Sequence, residues 1–103
     1  MADTRDIPIK KLEEIFKGVS CHRRIRIIKL LFPDREINVG EIAGRIKLSI
    51  RSTSKHLIQL EKVGFLTSRQ SGFFRIYRIN PASDDIVNKV ILLVVNNPAQ
   101  NEK

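Results

Sequence analysis

One cysteine, two histidines and no tryptophan leave this 103-residue chain short of the side chains that most often perform chemistry. Cys21 alone excludes an internal disulfide and any thiolate cluster within one chain. The longest apolar run, VILLVV at 90–95, is far below the roughly 20 residues a bilayer span requires. The opening MADTRDIPIKK carries no apolar stretch of the secretory kind, so the expected location is the cytoplasm, with no membrane partner. Repeats and low-complexity tracts are missing too. At this length a single domain with a modest core is expected.

Positive charge, by contrast, is abundant and unevenly placed. The net charge is +8; between Ser20 and Arg78 stand 13 Lys/Arg against 4 Asp/Glu, and elsewhere 6 against 7. The field belongs to the middle of the chain and not to a basic tail. It attracts polyanions, DNA before RNA and RNA before an anionic membrane. A basic surface kept only for solubility is the plain alternative.

Apolar spacing divides the chain into a lead-in over 1–9 expected to be flexible, a folded unit over 10–96, and a tail over 97–103 expected to be disordered. Leu12, Ile15, Phe16 and Val19 recur at helical spacing in a first helix that ends near Gly18. Ser20 is placed to cap a second helix with Ile25, Ile28 and Leu31 on one face and Arg23, Arg26 and Lys29 outside. Pro33-Asp34 breaks it. Asn38 with Glu41 is a loose capping box for a third helix packed through Ile42 and Ile46. A tight turn at Lys47 to Ser49 leads into a fourth helix over 48–63. FLTSR and FFRIYRI, separated by Gln70-Ser71-Gly72, signal a β-hairpin. Ser83, Asp84 and Asp85 open a last helix. The fold class expected is α+β, mostly α: four helices, a hairpin, then one helix.

In the fourth helix, advancing about 100° per residue from Thr53 puts Leu57, Leu60 and Gly64 in one stripe. Arg51, Lys55 and Lys62 fall opposite, at about 160–200°, with Ser52 and Ser54 beside them. Cations at a helix N-terminus oppose the helix dipole, and a bound anion would compensate both side chains and free N–H groups. This is the chemistry a major-groove helix uses, with arginine and lysine on guanine and serine on phosphate or base edges. Ile58, also on the polar face, could meet a thymine methyl or simply be exposed. The expected contacts to double-stranded DNA are Arg51, Ser52, Ser54 and Lys55, with Lys47 and Ser49 at phosphate. Arg69, Arg75 and Arg78 flank them from the hairpin. The plain alternative is that Phe73, Phe74, Ile76 and Tyr77 close the core while the arginines only solvate the strand, and both can hold at once. The hairpin shows no clear exposed stacking platform, which makes RNA the lesser partner.

Other constellations are weak. Cys21 and His22 point about 100° apart and do not make a ligand pair. Cys21 could be redox-sensitive or cross-link two chains, but a half-buried cysteine is the simpler reading. Ser52 and His56 lie one turn apart, yet no carboxylate is placed to orient the histidine, so His56 reads as structural and no enzyme is expected. In the last helix, apolar residues from Ile86 to Val95 cover more than one stripe, and the surplus suits a twofold mate. Leu12, Ile15, Phe16, Ile91, Leu92, Val94 and Val95 are the expected dimer contacts.

The segments VSCHRRIRIIKLL, EINVGEIAGRIKLSIRSTSKHLIQLEKVGFL and SGFFRIYRI resemble the winged-helix repressors of the ArsR type. The resemblance covers about residues 19–79 and rests chiefly on SKHLIQLEKVGFL. It implies a winged helix-turn-helix, a C-terminal dimerisation helix, and a homodimeric regulator, most simply a repressor, on a palindromic operator. Many members place Cys-x-Cys at the start of the third helix, where this chain has Asn38, Val39 and Gly40. Others bind zinc through acids and histidine on the last helix, which here has acids only at its start. Neither metal site is expected, no cofactor is implied, and the effector is left unknown. A winged-helix module docking an acidic protein is the alternative function.

Overall fold

Helical spacing becomes helix along most of the chain in the computed structural model, which describes residues 6–96. The tail over 97–103 and the first five residues of the lead-in lie outside the described residues. The order is α1 (Ile9–Gly18), α2 (His22–Leu31), β1 (Ile37–Asn38), α3 (Val39–Ile46), α4 (Ile50–Val63), β2 (Leu66–Ser71), β3 (Phe74–Ile79) and α5 (Asp85–Val95).

Local hydrogen bonds explain the boundaries. Asn38 Oδ1 accepts from the Glu41 amide at 2.8 Å, a cap worth about 1 kcal/mol. The reciprocal half of the box does not form, because the Glu41 carboxylate pairs with Arg45 at 3.2 Å. Ser20 is not the cap of α2. Its hydroxyl donates to the Lys17 carbonyl at 2.9 Å and closes α1, while Cys21 takes the N-cap position without a side-chain bond. Lys47 adopts left-handed backbone, φ 57°, and the Leu48 amide reaches back to the Ala43 carbonyl at 3.0 Å. That bond ties off α3 and turns the chain within three residues into α4. Gly64, at φ 105°, ends α4 in a conformation that suits glycine.

The core lies where α2 meets α3, α4 and α5 above a three-stranded antiparallel sheet of order β1-β3-β2. The buried arc of α2 is Ile27, Ile28 and Leu31, with Ile25 only half-buried. The helix is packed on several sides, so its apolar arc is wider than one stripe and turned towards Ile27. Gly18 brings α1 against the core. A Cβ there would stand 2.8 Å from the fully buried Phe65 ring, too close for any side chain.

The hairpin is confirmed, with its turn displaced. Ser71 pairs with Phe74, so Gly72 and Phe73 are the turn residues, and Gly72 has φ 60°. A glycine of positive φ followed by a residue of negative φ is the pattern of a II′ hairpin turn. Strand β1 is an addition to the expected order. Its two residues pair Ile37 with Tyr77 and Asn38 with Ile76, and no local signal marks so short a strand.

Strand alternation also corrects the expected core. Tyr77 is buried, but Ile76 is half-buried, Phe74 is 58% exposed and Phe73 is 100% exposed. Phe74 shares the outer face with Ile76, and Phe73 lies in the turn, beyond reach of any layer beneath.

Candidate nucleic-acid interface

Helix α4 is anchored through Thr53, Leu57 and Leu60, all fully buried, and this fixes what it shows to solvent. Arg51 and Lys55 are exposed on the opposite side, with Ser52 and Ser54 half-buried beside them. Exposed Lys47 and Ser49 stand at the entry to the helix. Ser49 has a structural duty as well, since its hydroxyl accepts from the Ser52 amide at 3.1 Å as N-cap. Among the described residues none pairs with Lys47, Arg51, Lys55 or Lys62, and no acid lies in the first turn of α4. Arg51, Lys55 and Lys62 thus line one side of α4, with Lys47 at its entry, unneutralised by any described residue.

The ridge is held in place from behind by α2. Arg24 Nε donates to His56 Nδ1 at 3.0 Å, and Arg24 Nη1 donates to the Lys17 carbonyl at 3.2 Å. One arginine therefore ties α4 to α2 and to the end of α1. Burial holds the His56 imidazole below its usual pKa, and the Arg24 and Arg23 charges add to the effect. His56 Nδ1 is an acceptor locked to a cation, so the neutral ring carries its proton on Nε2 and has no free lone pair to serve Ser52 as a base, which fits a positioning part.

The hairpin divides its arginines. By register Arg69 and Arg78 share the outer face, while Arg75 lies on the face towards α4. Arg69 reaches Glu36 Oε1 with Nη2 at 2.9 Å and Nε at 3.2 Å. Arg75 Nε donates to Ser68 Oγ at 2.9 Å, and that hydroxyl lies 2.9 Å from both Glu61 carboxylate oxygens. This chain fastens the base of the hairpin to the C-terminal half of α4. The neighbouring Tyr77 phenol is pushed up in pKa by burial, then by the Glu61 charge. Arg69 and Arg75, expected from sequence as free contacts, both have internal partners; half-buried Arg78 has none among the described residues.

Two of the expected dimer contacts are corrected. Ile15 and Ile91 are fully buried in the protomer's own core and cannot meet a mate. Leu12, Val94 and Val95 are half-buried, and Phe16 and Leu92 are exposed. The residues most available on these helices are ones the spacing did not single out, Ile9 at 85% and Leu93 at 74% exposure. Ile9 lies seven residues from Phe16, on the same helical face, a relation visible in the sequence. Lys11 joins Asp84 at 2.7 Å, holding the start of α5 near α1.

Among the described residues no three His, Cys, Asp or Glu side chains gather as a metal site, and no helix is long and apolar enough to cross a membrane. No family model matches the chain. It is similar to an HTH-type transcriptional regulator of Methanocaldococcus jannaschii, 34% identical over 85 residues that span 82% of this chain and 92% of that one. It is also similar to the arsenic resistance transcriptional regulator ArsR2 of Pseudomonas putida, 29% identical over 84% of this chain and 76% of the other. A homodimeric winged helix-turn-helix DNA-binding domain from Mycobacterium bovis shares the fold, with a TM-score of 0.72 and 24% identity over 91% of this chain and 83% of that one. These relatives are regulators and not enzymes. The motif spacing, the helix-turn-helix with its hairpin wing and the regulators it matches converge, and the chain belongs to the ArsR-type winged helix-turn-helix transcriptional regulators.

Proposed function

We propose that two copies of this chain bind a palindromic operator, each laying α4 in the major groove and its wing along the flanking minor groove. The observation that carries this is the unneutralised ridge of α4. Arg51 and Lys55 are exposed and without partners among the described residues, on a helix whose other side is locked into the core. Ser52 and Ser54 would meet phosphate or base edges beside them, and Lys47 and Ser49 the backbone at the helix entry. Arg69 and Arg75 would flank the groove by exchanging internal partners for phosphate: Arg69 its exposed pair with Glu36, worth about 0–1 kcal/mol, and Arg75 its hydrogen bond to the half-buried Ser68 hydroxyl.

The exposed apolar positions of α1 and α5, with Ile9 and Leu93 foremost and Phe16 and Leu92 beside them, support a twofold mate. Two α4 helices would then read half-sites about 10 bp apart, one turn of the duplex. A dimer seated on promoter DNA excludes polymerase, so repression is the simplest regulatory result. No residue cluster described here names an effector.

The test is a gel shift on a duplex selected from a random pool by the wild-type protein. Arg51→Glu with Lys55→Glu should abolish the shift, a loss of at least about a hundredfold. Sedimentation and circular dichroism should show the same dimer and the same helix content. A double variant that still shifts the selected duplex with wild-type affinity would mean that this face is not the reading face.

A further inference from the structure

We propose that Phe73, at the tip of the wing, is a wedge that enters the minor groove beside each half-site and partly unstacks one base step. The proposal rests on the DNA-binding reading above and adds a contact that no charged residue could make.

Phe73 is wholly exposed, and Phe74 next to it is more than half exposed. A large apolar side chain in a hairpin turn forgoes the burial that almost any other position offers. The turn itself is built by Gly72, whose positive φ allows a two-residue connection, so Phe73 stands at the furthest point of the hairpin. Strand β1 supports β3 only at Ile76 and Tyr77. Beyond that the ribbon is tied at its base by Arg69 to Glu36 and by Arg75 to Ser68, while residues 69–75 are all exposed. The tip is free of the body and narrow.

Charge identifies the occupant. No acid lies between Glu61 and Asp84, a stretch holding Lys62, Arg69, Arg75 and Arg78. A cationic ribbon ending in one aromatic ring fits a polyanion with apolar slots, and stacked base pairs along a phosphate-lined groove are such a surface. An acidic protein would satisfy the arginines and leave the ring unused. A membrane anchor would need a wider apolar face than one turn residue and its neighbour. Apolar wedges at base steps kink the duplex by about 20–90° towards the major groove. Phe74 would follow along the groove wall as the ribbon enters.

The experiment uses the full chain and the duplex it selects from a random pool, with 2-aminopurine placed in turn at each flanking position. Wild-type protein should raise the fluorescence at one step beside each half-site, the mark of an unstacked base, and energy transfer between the duplex ends should report a bend. Phe73→Ala should lose both signals and weaken binding about tenfold, while still preferring the selected sequence through α4. Phe73→Leu, which keeps an apolar wedge, should restore most of the bend. Because the residue is exposed, both variants should keep the wild-type unfolding midpoint. The inference is overturned if Phe73→Ala binds and bends the duplex as the wild type does. It falls equally if that variant loses instead its capture by anionic phosphatidylglycerol vesicles. If the wild type selects no duplex at all, the operator reading fails first and carries this contact down with it.

Discussion

Helix α4 and the wing are both basic, but their charges are in opposite states. On α4 the cations have no partner among the described residues, whereas Arg69 and Arg75 of the wing are bonded to Glu36 and to the Ser68–Glu61 chain. The helix can meet an anion without first breaking anything. The wing must release internal partners before its arginines contribute. What the wing offers freely is an aromatic ring. A count of lysines and arginines would rank the two elements together, and their hydrogen bonds separate them.

That contrast can be broken in order of expected size. Arg51→Ala or Lys55→Ala should each weaken binding to the selected duplex by about tenfold or more and make the salt dependence shallower by about 0.9 in log–log slope. Arg69→Ala and Arg75→Ala should cost no more than about fivefold, since each loses a contact that competes with an internal pair. Titrations at several salt concentrations decide it, and wing variants as damaged as helix variants would reverse the comparison.

The second effect concerns the support beneath the ridge. His56 has a folded-state pKa below the ordinary value of about 6.5, so on acidification the unfolded chain takes up the proton first. The stability contributed by neutral His56 is therefore present above about pH 6.5 and is lost as pH falls through that value towards the lowered one. Protonation also removes the acceptor for Arg24 Nε. Thermal unfolding of the wild type and of His56→Gln between pH 7.5 and 5 should show a wild-type decline that the variant lacks. Parallel curves would remove His56 from the account.

The smallest effect sharpens the comparison at the turn. Lys47→Gly should leave stability within about 0.5 kcal/mol, because glycine takes the left-handed backbone without the strain a side chain carries there. The loss of a phosphate contact should still lower the salt slope by about 0.9. A variant that binds normally would make Lys47 a turn residue only.

Much of this was legible from periodicity. The stripe of Thr53, Leu57 and Leu60 and the opposite ridge follow from angle alone, and Asn38 announced its helix. What escaped depended on contacts distant in sequence. Ser20 has the chemistry of an N-cap, but the end of α1 took its hydroxyl. Ile15 and Ile91 have the composition of an interface, and only tertiary packing assigns them to the protomer's own interior. The two residues of β1 become a strand because β3 lies beside them. Phe73 looks like core in the sequence because it is an aromatic beside an alternating run, whereas Gly72 has already turned the chain. No property of either arginine alone shows that Arg69 and Arg75 are occupied, since Glu36 and Glu61 lie in other elements.

The brevity of β1 has a further effect on design. Since the body of the sheet ends at Asn38 and Ile76, the distance from scaffold to turn depends only on how many cross-strand pairs follow. Inserting two residues in each arm would carry the ring about 7 Å outward, at about 3.4 Å per residue, without disturbing one buried side chain. Sequence change in this loop can therefore alter how far a regulator probes beyond its half-site while the domain beneath keeps its stability.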